Sequence, residues 1–218
     1  MKLHLERIII VNRAPFKNLD ILFSENQVAV LSALNGGGKT TILSHIADAF
    51  FEMTKNHFTD ITDDALKLYR VSSAIFNLDS TKPSFVYLRF RADDTFYDYV
   101  DVRNDCSKEE YDNAVLLEGK IDFESQIKSD LQGVNFSKKI SPNFTKEVAE
   151  KIFKNNLNVY FPSYRYEVPG YLNEPQKNKL EFKKISNFAG NLNKPIEVVT
   201  GLNDIANWLM GSVRFSSI

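Results

Sequence analysis

The chain contains the stretch Ala33-Leu34-Asn35-Gly36-Gly37-Gly38-Lys39-Thr40-Thr41, which has the composition and spacing of a phosphate-binding loop. It follows the apolar run Val28-Ala29-Val30-Leu31, which predicts a strand. It precedes apolar residues at helical spacing, which are Ile42, Leu43, Ile46, Ala47 and Phe50. Asn-Gly-Gly-Gly alone is also compatible with a flexible turn, but a strand, a glycine-rich turn and a helix in this order indicate nucleotide binding.

Binding of phosphates and Mg²⁺ accounts for the glycines, the lysine and the first threonine of the loop. Three successive glycines let backbone N–H groups converge on the α- and β-phosphates at a helix N-terminus. Lys39 reaches the β- and γ-phosphates, and the Thr40 hydroxyl binds Mg²⁺. The predicted cofactors are therefore ATP and Mg²⁺, with Thr40 as the metal ligand. The predicted nucleotide-binding residues of the loop are Asn35, Gly36, Gly37, Gly38, Lys39, Thr40 and Thr41.

One loop position departs from the general pattern. Ala33 stands where glycine is usual. An alanine is tolerated there if its φ angle is negative, because only a positive φ strains a residue that has a Cβ atom.

The composition bounds the class of protein. In 218 residues, 43% hydrophobic content allows a sizeable core. A net charge of −1, from 27 basic and 28 acidic residues, argues against a surface devoted to coating nucleic acid. The single cysteine, Cys106, excludes an internal disulfide framework and indicates the reducing cytoplasm. No run is long enough to span a membrane, and the three histidines lack metal-ligand spacing.

Period-2 patterning and turn residues predict the remaining elements. A β-hairpin is predicted from strands at 84–91 and 96–102 around an acidic four-residue turn. The other predicted elements are strands at 8–11, 19–23, 157–161 and 196–199 and helices at 40–55, 60–69, 144–153 and 200–209. The expected organisation is strands, loop and helix in 1–56, the hairpin in 84–103, a polar insertion in 104–143, and a helix, strand, arginine-bearing loop and terminal helix in 144–218.

Residues 8–51 resemble the N-terminal part of ABC-type ATPase heads of SMC-like, RecF-like and OLD-like proteins. The resemblance lies in Asn12, in Phe16-Lys17-Asn18-Leu19, and in a loop that combines an asparagine with two hydroxyl residues. It implies an α/β P-loop NTPase fold of the ABC-ATPase type, with a mixed sheet, an antiparallel β-hairpin subdomain and flanking helices. It also implies that heads associate as a homodimer or higher oligomer.

A second resemblance concerns Tyr160-Phe161-Pro162-Ser163-Tyr164-Arg165, which is similar to a strand end and arginine-bearing loop in prokaryotic defence ATPases of the Septu and retron-associated kind. It implies that Arg165 reaches a phosphate or a partner subunit. The alternative is a surface arginine stacked between Tyr164 and Tyr166. Arg13, near the first predicted strand, is a further candidate for nucleotide contact, with a structural role as its alternative.

The catalytic carboxylates of such a head are not identified. The Walker B pair, an apolar strand ending in Asp-Glu, and the Ser-Gly-Gly signature are both missing from the sequence. Val115-Leu116-Leu117-Glu118 lacks the aspartate, and residues 205–211 lack both carboxylates. We therefore expect that these residues are the N-terminal part of a longer polypeptide, or that the rest of the head lies on another chain.

Three functions remain open on these residues. The first is an ATPase lobe that couples ATP binding and hydrolysis to head dimerisation and to control of a nuclease, DNA or RNA partner in phage defence or DNA maintenance. The second is a small-molecule or nucleoside kinase, which the antiparallel hairpin after the first helix disfavours. The third is an interaction module that binds ATP without turnover.

Overall fold

The structure is a computed structural model. It describes residues 1–25, 27–55, 57, 77–104, 106–122, 126–127, 137–153, 156, 158–160 and 196–198, and it gives the backbone alone for 126–127, 137, 158–160 and 196–198. In chain order the elements are β1 (Leu3–Arg13), β2 (Phe16–Leu22), α1 (Lys39–Thr54), β3 (Ser84–Ala92), β4 (Thr95–Asn104), β5 (Cys106–Ser107), α2 (Lys108–Ala114), β6 (Gln126–Ile127), β7 (Ser137–Ile140), α3 (Lys146–Phe153), β8 (Asn158–Tyr160) and β9 (Ile196–Val198).

A five-stranded antiparallel sheet organises the described chain, in the spatial order β2-β1-β3-β4-β7. The predicted hairpin is confirmed as β3 and β4. Ala92 pairs with Thr95, so the turn consists of Asp93 and Asp94. Asp93 has a φ of 53°, and a short polar side chain tolerates this left-handed conformation better than an apolar one does.

The pleat of the sheet divides the core into two clusters. Because successive side chains of a strand point to opposite faces, Ile8 and Ile10 lie on one face and Ile9 lies on the other. The first face is covered by α1 and α3, which contribute Phe51 and Phe153 among other buried residues. The second face is covered by α2 and the segment after it.

The predicted strand before the phosphate-binding loop is not formed as a paired strand. Residues 27–31 belong to no sheet among the described residues, and Val28 and Val30 are 90% and 82% exposed. The reason is that a strand needs a neighbour for its backbone hydrogen bonds. β1 is already paired on both sides, by β2 and β3.

The expected polar insertion at 104–143 contributes to the core. The pair Ser107 and Glu110 forms a capping box that starts α2, and Val115 after this helix is fully buried. β7 pairs with β4 along the edge of the sheet. Residues 115–118 form no strand, so the stretch that came nearest to a Walker B sequence does not have that architecture.

Two short strands form a separate sheet. β8 and β9 pair in parallel, with Asn158 opposite Ile196, which confirms the strands predicted at 157–161 and 196–199. The helices predicted at 60–69 and 200–209 and the second Walker B candidate, residues 205–211, lie outside the described residues. Within the described ranges, no helix combines the length and the apolar character needed to cross a membrane.

Candidate functional site: the phosphate-binding loop and its helix

Glycines give the loop its backbone shape. Gly36 and Gly38 have φ angles of 81° and 85°, in the left-handed region that glycine adopts at little cost. Between them, the Gly37 N–H donates a 3.0 Å hydrogen bond to the Leu34 carbonyl and closes a tight turn. Ala33 is not among the residues with positive φ. The alanine at the first loop position is therefore accommodated without backbone strain.

Close packing also requires glycine at two positions. A Cβ atom on Gly37 would lie 2.8 Å from the Ala33 Cβ atom, and one on Gly38 would overlap the Phe16 ring and lie 2.8 Å from Pro15 Cγ. The turn between β1 and β2, which carries Pro15 and Phe16, thus packs directly on the start of α1. The loop is held between this turn and the helix that it precedes.

The start of α1 is suited to binding an anion. Gly38 is the N-cap residue, it supplies no side-chain hydrogen bond, and the first turn contains no acidic residue. The first hydrogen bond across this turn runs from the Ile42 N–H to the Gly38 carbonyl, at 3.0 Å. The N–H groups that precede Ile42 have no carbonyl partner within the helix. Together with the helix dipole they favour a phosphate at this end.

Lys39 crosses the loop. Its Nζ donates hydrogen bonds to the Ala33 carbonyl at 2.6 Å and to the Leu34 carbonyl at 3.0 Å. The ammonium group therefore lies beside the backbone that would surround a phosphate. Thr40 is partly buried and Asn35 is exposed, whereas Thr41 is only 3% exposed.

Arg13 does not fit the predicted contact with nucleotide, because its side chain is fully buried. It donates to the Ser84 hydroxyl at 3.0 Å, to Asp101 Oδ2 at 3.4 Å and to the Asp101 carbonyl at 3.1 Å. Burial lowers the pKa of its guanidinium to about 10, against the opposing effect of Asp101. Arg13 therefore joins β1 to β3 and β4. The other predicted arginine, Arg165, lies outside the described residues.

The helix α1 has a buried polar face that its apolar periodicity does not predict. Leu43, which the helical spacing predicts on the apolar face, is 43% exposed. The buried polar residues of the helix are Thr41, Ser44, His45, Asp48, Glu52 and Thr54. All of them except Thr54 are spaced three or four residues from one another along the helix, which was a signal in the sequence, because such residues share one side of a helix.

Two carboxylates on this face of α1 contact the sheet. Lys138 Nζ, on β7, lies 3.0 Å from Asp48 Oδ2 and 2.7 Å from Glu52 Oε1. The Tyr99 hydroxyl, on β4, donates to Asp48 Oδ2 at 3.2 Å. Burial is the main cause that raises the pKa of Tyr99 well above its usual value, so this hydroxyl remains a donor at neutral pH.

His45 lies one turn before Asp48 and is 4% exposed. Its Nε2 atom has no hydrogen-bond partner. Burial lowers its pKa to about 3, and the positive charges of Arg13 and Arg103 add to that effect, while Asp101 and Asp48 oppose it. The ring is therefore neutral under physiological conditions.

Across the ranges that the structure describes, no group of three or more His, Cys, Asp or Glu side chains is arranged to hold a metal ion. In sequence, the model of a family described as an AAA domain matches residues 7–204. A comparison with curated proteins found no match.

Proposed function

The chain belongs to the AAA domain family and is an ATPase-type P-loop domain with an α/β fold, and on this premise we propose that it binds ATP with Mg²⁺ at residues 35–41. The observation that carries the proposal is the uncapped N-terminus of α1, behind a loop whose glycines adopt left-handed conformations. An anion is the ligand that such N–H groups and the helix dipole favour.

The proposed contacts follow from this geometry. Backbone N–H groups of the loop and of the first turn of α1 bind the α- and β-phosphates. Lys39 exchanges its bonds to the Ala33 and Leu34 carbonyls for the β- and γ-phosphates. Thr40 suits Mg²⁺, because its hydroxyl is a hard oxygen donor and follows Lys39 directly. We also propose Arg165 as a contact to phosphate or to a partner subunit.

The biological role that we propose is coupling of ATP binding and hydrolysis to the association of two or more ATPase heads. Through that association the protein controls a nuclease or another nucleic-acid-processing partner, acting on DNA or RNA, in phage defence or DNA maintenance. The resemblance of residues 8–51 to ABC-type heads supports this role. The antiparallel sheet that packs on α1 is also more typical of such a head than of a small-molecule kinase.

Calorimetry with ATP and Mg²⁺ tests the nucleotide site. Lys39→Ala removes a charge-assisted contact and is expected to weaken binding by about 1.5–3 kcal/mol. Lys151→Ala is the matched control, since it removes an exposed lysine from α3, and it should leave the affinity unchanged. A folded Lys39→Ala protein that binds ATP as tightly as the wild type would refute the site.

A further inference from the structure

Lys138 is far from the phosphate-binding loop in sequence, yet it is joined to the helix that carries the loop. The Lys138 side chain is 17% exposed, and those of its partners Asp48 and Glu52 are 12% and 7% exposed. Tyr99 adds a hydrogen bond to the same Asp48 oxygen. Since Lys138 is on β7 and Tyr99 is on β4, these contacts attach α1 to the edge of the antiparallel sheet that includes β7.

Contacts of this kind specify position more strictly than apolar packing does. The hydrophobic effect is non-directional, so an apolar helix face tolerates small rotations and shifts. A charge that loses its partner in the interior is strongly destabilising. The Lys138 ammonium therefore favours the one placement of α1 in which Asp48 and Glu52 both reach it.

The placement of α1 matters at its other end. Asp48 follows Lys39 by nine residues, which at a rise of 1.5 Å per residue is roughly 14 Å along the helix axis. An α-helix transmits a change of tilt over this distance to the N–H groups at its start. Binding sites need their groups within about 0.5 Å of the productive position, so a modest loss of alignment lowers affinity.

We propose that Lys138 is a positioning residue for the nucleotide site. It acts through Asp48 and Glu52 and does not touch the nucleotide. The inference rests on the proposed function, since it assumes that the loop at the start of α1 binds ATP. It extends that function by assigning part of the affinity for ATP to the edge strand of the sheet.

The test compares two adjacent lysines of β7 in the full chain. Lys138→Met is expected to raise the dissociation constant for ATP and Mg²⁺ by about two- to thirtyfold, the range found for residues coupled to a distant site. Lys139→Met should leave it unchanged, because Lys139 is exposed. Lys138→Arg keeps the charge and should restore most of the affinity. All titrations are made at a temperature where circular dichroism shows each variant to be folded.

Tyr99→Phe is the second variant, because it removes one hydroxyl and keeps the ring in the core. It should raise the dissociation constant about twofold, at the lower end of the same range, even if Lys138→Met fails to fold. Wild-type affinity in Tyr99→Phe and in any folded Lys138→Met would overturn the inference, as would an equal loss in Lys139→Met. The Lys39→Ala titration separates this failure from failure of the nucleotide site, since it responds to the loop alone.

Discussion

The antiparallel sheet and the phosphate-binding loop lie side by side, but they differ in whether their polar groups are paired with side chains. In the sheet, Arg89 is 3% exposed and pairs with Asp98, and Arg13 is fully buried beside Asp101. In the loop, the N-cap residue Gly38 supplies no side-chain hydrogen bond to the start of α1. The difference indicates that charges in the sheet hold the fold, and it agrees with the proposal that the start of α1 binds an anionic ligand.

Removing a buried charge from the sheet should have the largest effect on stability. Arg13→Met leaves Asp101 in the interior without its closest guanidinium, so the free energy of unfolding should fall by about 3–5 kcal/mol. Arg7→Met is the matched control on the same strand, because Arg7 pairs with Asp20 at the surface. Its cost should be about 0–1 kcal/mol. Urea denaturation measures both, and equal costs would contradict a structural role for Arg13.

Replacing a glycine of the loop should have a smaller effect. Gly38→Ala strains a φ of 85° and forces the Phe16 ring away, so it should destabilise the protein by about 2–4 kcal/mol, from the backbone strain plus overpacking. Gly36→Ala has a φ of 81° and open space around the new Cβ atom, so it should cost only about 1–2 kcal/mol. Equal thermal shifts for the two variants would show that the contact with Phe16 is unimportant.

The smallest expected effect concerns protonation of His45. Its pKa is about 3 in the fold and 6.5 as the ordinary value, so the unfolded chain takes up the proton first as the pH falls. The contribution of this residue to the free energy of unfolding is therefore complete above pH 6.5 and is lost as the pH falls from 6.5 toward 3. Between pH 7 and pH 5 this residue should account for about 2 kcal/mol of lost stability.

His45→Gln isolates this contribution, because all other titrating groups remain. Urea denaturation at several pH values should show a shallower loss of stability in the variant than in the wild type. Parallel curves for the two proteins would show that His45 does not bind its proton differently in the folded and unfolded states.

Local sequence patterns predicted the individual elements of this fold better than they predicted which elements lie side by side. The hairpin was predictable because alternating strands flank Asp93 and Asp94, and α1 because apolar residues recur at helical spacing after Lys39. The pairing of β1 with β3 and of β7 with β4 was not predictable, because both pairs join distant parts of the chain. Periodicity identifies the face of a strand that is buried, but it does not identify the strand beside it.

The same limit applies to the candidate site. The loop was predictable as a motif because a phosphate-binding loop is defined by local spacing, and its residues lie together at the start of α1. The structural role of Arg13 was not predictable, because its partners Ser84 and Asp101 are 71 and 88 residues further along the chain. The polar face of α1 was visible in the sequence, but its partner Lys138 was not, because nothing local links it to Asp48.

The exposed valines before the loop have a consequence for handling the protein. Val28 and Val30 lie in a β-prone run whose backbone has no strand beside it in the described part of the chain. Runs of this kind promote edge-to-edge association and aggregation between molecules. The apparent molar mass measured by light scattering is therefore expected to rise with protein concentration, and Val28→Lys should reduce this rise.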